Sequence, residues 1–153
     1  MSINHVGRDI QAHPERFLSR DAAYRFGGYL QAQKERMLGL RSQRTNRPEL
    51  IEQMGVDGKF AYHMVRLGIQ GVELLTTGRI TLPIAEPNRT WLLELRRGEH
   101  TKDEALARAD DLLNQLNTLA QTADLPVKPD YDLINRWLTD TYTSWWEEHG
   151  LLR

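Results

Sequence analysis

The run KFAYHMVRLGIQGVELLTTGRITLP, Lys59 to Pro83, spaces its apolar residues as a helix does and interrupts that helical pattern with two glycines, Gly68 and Gly71. Phe60, Met64, Leu67, Gly71, Leu74 and Leu75 fall near one side of a helix predicted from Lys59 to about Thr76. Glycine inside a helix costs about 1 kcal/mol relative to alanine, so Gly68 and Gly71 point to the close approach of another element or of a ligand. A chain built around such a helix must supply further helices to cover it.

Those helices are readable. Ser19 is placed as the N-cap of a helix running to about Leu40, with Ala22, Ala23, Phe26, Leu30, Met37 and Leu38 inward. The basic loop RSQRTNRPEL follows, and Pro48 and Gly55 bracket a short helix. Thr101 and Glu104 form a capping-box pattern for a helix to about Thr122, and a last helix is predicted from about Tyr131 to His149, with Trp137 and Trp145 at helical spacing. Gly78 stops the Lys59 helix; beyond it, RITLP and TWLLELR read as two strands. The predicted fold class is mainly α, a helical bundle with one small β-hairpin at about residues 79–97. Residues 1–18 show no periodicity and read as an N-terminal arm, with residues 19–153 as a single helical domain.

The chain's 153 residues suit one domain, and its net charge of -1 gives no global field to attract nucleic acid or a membrane, so any anion site must be local. The absence of cysteine excludes disulfides, thiol catalysis and thiolate zinc sites. No apolar run approaches the roughly 20 residues needed to span a bilayer, and the expected localisation is cytoplasmic, with no membrane partner.

Within the glycine-bearing helix, Lys59, His63, Arg66, Gln70 and Glu73 follow one another at steps of four, three, four and three, which sets them on one face. Arg79, Arg96 and Arg97 lie just downstream. A face carrying lysine, histidine and arginine can hold phosphate oxygens, because a point charge and a bidentate guanidinium act together there. The same stripe is also what a solvated helix face looks like, and His63 alternatively reads as a satisfied core histidine. No histidine pair has the spacing of a helical zinc site, so no metal site is expected. Asp130 and Asp132 have the one-residue separation of magnesium-binding pairs, but they follow Pro129 at a helix start, where acids serve as caps.

The runs KFAYHMVRLGIQGVELLTTGRITLP and EPNRTWLLELRRGEHT resemble the predicted nucleotidyltransferases of the DNA polymerase beta superfamily, a bacterial and phage group. FLSRDAAYRFGGYLQAQ and PDYDLINRWL are similar to flanking parts of the same proteins, so the resemblance covers roughly residues 15–140. It implies two halves: a small sheet with a glycine-serine pair and two aspartates that bind divalent metal, and a helical region that completes the nucleotide or acceptor pocket. Only the helical half is matched, and no catalytic residue is assigned.

The resemblance thus implies a nucleotide-binding half that is inactive alone and needs a catalytic half in trans. Lys59, His63, Arg66, Gln70, Glu73, Arg79 and Arg96 are the expected nucleotide- or phosphate-binding residues. This chain alone is expected to bind no cofactor; magnesium and a nucleoside triphosphate are implied for the assembled system. The partners implied are a separate catalytic nucleotidyltransferase chain or a second copy of this chain, a nucleotide, and nucleic acid as acceptor. The alternative is a non-enzymatic protein-interaction module, a regulatory or antitoxin-like subunit.

Overall fold

The computed structural model describes residues 4–41 and 58–151. The short helix expected between Pro48 and Gly55, and most of the basic loop before it, lie outside the described residues. Six α-helices occur among the described residues: α1 (His5–Ala12), α2 (Asp21–Met37), α3 (Gly58–Thr77), α4 (Asn88–Arg97), α5 (Lys102–Thr122) and α6 (Tyr131–Glu148). They divide between two compact units, one made of Met1–Ser19 with Leu125–Arg153 and the other of Arg20–Asp124.

In the Arg20–Asp124 unit, α3 packs against α2, α4 and α5, and α2 also packs against α5. Leu30, Met64, Val65, Leu92, Leu95 and Leu116 are fully buried between them. The two glycines of α3 face this core. A Cβ on Gly68 would lie 2.8 Å from Leu112 Cβ, and one on Gly71 would lie 2.7 Å from Phe26 Cβ. Close packing is therefore what these glycines serve.

The ends of α2 depart from the pattern read in the sequence. Ser19 is buried, but Arg20 occupies the N-cap position and offers no side-chain cap. Arg20 instead donates from Nε to the Ala123 carbonyl at 2.9 Å and from Nη1 to the Gln121 carbonyl at 2.7 Å. A cation is thereby set at the C-terminal end of α5, where the helix dipole favours it. Gly39, at φ 75°, ends α2, and the Leu40 N–H reaches back to the Glu35 carbonyl at 2.8 Å.

The β-hairpin expected at 79–97 is not present, and no strand occurs among the described residues. Residues 88–97 are helical because Leu92 and Leu95, three apart, both reach the core, whereas a strand would send them to opposite faces. Leu93, which strand alternation would have paired with Leu95, is 43% exposed. Upstream, Pro83 and Pro87 have no N–H to donate to a ladder, and the Thr81 N–H is taken by the Glu73 carboxylate at 3.0 Å. Arg96 and Arg97 occupy the last turn of α4, and Gly98 at φ 84° closes it.

The capping box of α5 forms as expected. Thr101 N–H donates to Glu104 Oε2 at 2.7 Å, and the Glu104 N–H donates to Thr101 Oγ1 at 3.2 Å. Thr101→Ala is expected to cost about 1 kcal/mol, read as a lower urea midpoint with an unchanged slope.

In the other unit, the segment read as an unpatterned arm carries α1 and a single 3-10 turn at Pro14–Phe17. The Asn4 side chain caps α1 through the Gly7 N–H at 2.9 Å. Asp9 on α1 accepts from the Trp137 indole at 2.6 Å, and Phe17 meets the Trp137 ring edge-on at 5.2 Å. Asp130 caps α6 by accepting from the Leu133 N–H at 2.9 Å.

Candidate functional site

Helix α3 carries Tyr62, His63 and Arg66 along one flank, and α4 brings Arg96 against the same place. The Arg66 guanidinium lies 5.9 Å from the centre of the Tyr62 ring and that of Arg96 lies 5.7 Å from it. Both distances are in the range of cation–π attraction, so one aromatic ring holds two arginines from two helices. Arg96 reaches this position only because residues 88–97 form a helix packed on α3.

Arg66 Nη2 is 3.2 Å from His63 Nδ1. A guanidinium can only donate, so Nδ1 is the acceptor and the imidazole is neutral, with its proton on Nε2. Burial holds the His63 pKa below its usual range, and the positive charges of Arg66, Lys59 and Arg96 depress it further. The charges acting on this imidazole are all positive. Arg66 Nε is buried without a hydrogen-bond partner. Three permanent cations around a neutral histidine form a local anion-seeking surface in a chain whose net charge is -1.

The rest of the stripe is used differently. Glu73 is tied to the 79–87 segment through the Thr81 N–H at 3.0 Å. Arg79 lies past the far end of α3, whose 20 residues extend over about 30 Å, so it does not join Lys59 and His63. Gln70 sits between the two ends, one turn beyond Arg66. Tyr62 was not among the residues singled out from the sequence, although its four-residue spacing to Arg66 was a usable signal.

A second polar cluster occupies the α4–α5 corner. His100 stacks on Trp91 at 4.4 Å between ring centres, and its Nε2 is 3.1 Å from Glu94 Oε2. Arg108 lies over Trp91 at 5.8 Å and donates to Asn88 Oδ1 at 2.9 Å. With Asp130 engaged as a cap, no group of three or more His, Cys, Asp or Glu among the described residues is gathered so as to hold a metal ion. Among the same residues, no helix is long and apolar enough to cross a membrane.

Compared with known proteins, residues 2–140 match the family model described as RlaP, the RNA repair pathway DNA polymerase beta family. No curated protein and no solved structure matches significantly. The family match takes in all of α1 to α5, including the arginine pair around Tyr62, and the first half of α6. The chain belongs to the RNA repair pathway DNA polymerase beta family.

Proposed function

We propose that this chain supplies the helical nucleotide-binding part of a polymerase-beta-like nucleotidyltransferase of RNA repair, with Lys59, Arg66 and Arg96 receiving the phosphates. The observation that carries this reading is the pair of arginines from α3 and α4 on the Tyr62 ring, beside a neutral His63 surrounded by positive charge. Nucleotidyl transfer requires carboxylates to position magnesium; the one aspartate pair at that spacing, Asp130 and Asp132, starts α6 with Asp130 as its cap, so on this reading the catalytic aspartates are supplied in trans. The part played here is to bind and orient the nucleotide, lowering the entropy cost of bringing it to the acceptor.

The test is equilibrium binding of each ribonucleoside triphosphate, with and without magnesium, to the chain and to a Lys59→Ala, Arg66→Ala double variant. Saturable binding that the double variant loses supports the reading. Binding that the double variant retains in full rejects it.

One observation favours a second reading, a non-enzymatic interaction module. Leu138, Tyr142, Trp145 and Trp146 follow one face of α6, and all are exposed. Apolar aromatic residues in such a stripe are typical of partner-binding helices. A stable complex formed by the chain and lost on Tyr142→Glu, without any nucleotide binding, would favour it.

A further inference from the structure

An open groove of about 390 Å³ lies within the Arg20–Asp124 unit, along the C-terminal half of α3. Ile69, Ile84 and Leu112 give it an apolar lining, and Asn88, Arg108 and Asp111 supply polar groups. Glu73 also lines it. Glu73 is seven residues beyond Arg66, on the same side of α3 and about 10 Å along the helix axis. The ribose and phosphate chain of a nucleoside triphosphate can span that separation.

Arg108 and Asp111 sit three apart on α5, at the spacing of an intrahelical ion pair, yet they do not pair with each other. Each is engaged by a neutral amide instead. Arg108 Nη2 donates to Asn88 Oδ1 at 2.9 Å, and Asp111 Oδ2 accepts from Gln115 Nε2 at 2.8 Å. The Arg108 guanidinium is further steadied over the Trp91 ring, at 5.8 Å. On the groove wall, Arg108 keeps guanidinium N–H donors to spare, and Asp111 offers its free Oδ1 together with the second lone pair of Oδ2.

On the reading that the Arg66 cluster takes phosphates, we infer that this groove takes the base of the same nucleotide and that the base is guanine. Guanine alone among the four bases offers a carboxylate two adjacent N–H donors, at N1 and N2, next to an oxygen that accepts from a guanidinium. Adenine, cytosine and uracil each give the carboxylate one edge position with a donor. Hydrogen bonding along that edge is how exposed bases of ribonucleotides are recognised. The apolar wall formed by Ile69 and Leu112 receives the ring face.

The experiment measures binding of GTP, ATP, UTP, guanosine and inorganic triphosphate to the full chain and to Asp111→Asn. Asp111 is exposed, so the substitution leaves the core intact. GTP is expected to bind about tenfold more tightly than ATP or UTP, the worth of one bidentate pair. Asp111→Asn should bring GTP to the level of ATP while leaving inorganic triphosphate unchanged. GTP binding no more tightly than ATP, or an equal effect of Asp111→Asn on GTP and inorganic triphosphate, overturns the guanine site and leaves the phosphate reading standing. Guanosine binding that Asp111→Asn removes, with no binding of inorganic triphosphate, keeps the groove and rejects the phosphate cluster. Binding of none of the five rejects both.

Discussion

Gly68→Ala and Gly71→Ala are each expected to lower the stability of the Arg20–Asp124 unit by about 1–2 kcal/mol. Overpacking a core costs about 1–3 kcal/mol, and the better helix propensity of alanine returns about 1 kcal/mol of it. The cost should lie toward the upper end because the atoms in the way cannot swing aside. A new Cβ at 68 meets Leu112 Cβ at 2.8 Å, and one at 71 meets Phe26 Cβ and Cγ at 2.7 Å, all close to the backbone. Relief therefore requires α3 to move away from α5 or α2, which loosens contacts along their length. Gly28 is the internal control: it is exposed on α2 with nothing within 4 Å of its would-be Cβ, so Gly28→Ala should stabilise by about 0.5–1 kcal/mol. Urea titrations of the three variants would show opposite signs at 28 and at 68 or 71. A neutral outcome at both 68 and 71 would rule out a close approach of α3 to α5 and α2 as the reason for these glycines.

The same glycines show how far the sequence could be read. A helix with an apolar side and two glycines announces a close neighbour, but which residues meet them, Leu112 and Phe26, depends on tertiary register. Local signals were sufficient at the Thr101–Glu104 box and at the Asp130 cap, where donor and acceptor lie three residues apart. They failed at TWLLELR. Its aromatic and branched residues favour a strand, but burial is decided by Leu92 and Leu95, whose three-residue spacing suits only a helix. The helix α1 was missed because it buries no residue fully and its anchor is Trp137, far along the chain. At the candidate site, Lys59, His63 and Arg66 were legible together since one helix carries them. Arg96 joined them through packing, and Arg79 stayed apart because a straight helix of 20 residues separates the ends of the stripe.

Arg66→Ala is expected to weaken binding of inorganic triphosphate by about 10- to 100-fold, since a charged hydrogen-bonding group contributes about 1.5–3 kcal/mol. Arg66→Lys should recover only part of it, because lysine keeps the charge but loses both the fork and the planar stack on Tyr62. His63 supplies an independent readout. Its folded pKa lies below its usual value, so as pH falls through about 6.5 the unfolded chain takes up the proton first and stability declines toward the folded value. Above that window His63 adds no pH dependence. Burial is the first cause of the lowered His63 pKa and the three cations add to it; an anion seated among Lys59, Arg66 and Arg96 offsets that repulsion, so the His63 pKa should rise on binding. By linkage, triphosphate then binds more tightly as pH drops toward 6, and His63→Gln removes the part of that dependence not due to protonation of triphosphate itself. Nuclear magnetic resonance titration of the His63 ring, with and without saturating triphosphate, measures the shift directly. An unchanged titration with triphosphate demonstrably bound would place the anion elsewhere, since no polyphosphate can lie against these three cations without altering the charge that His63 feels.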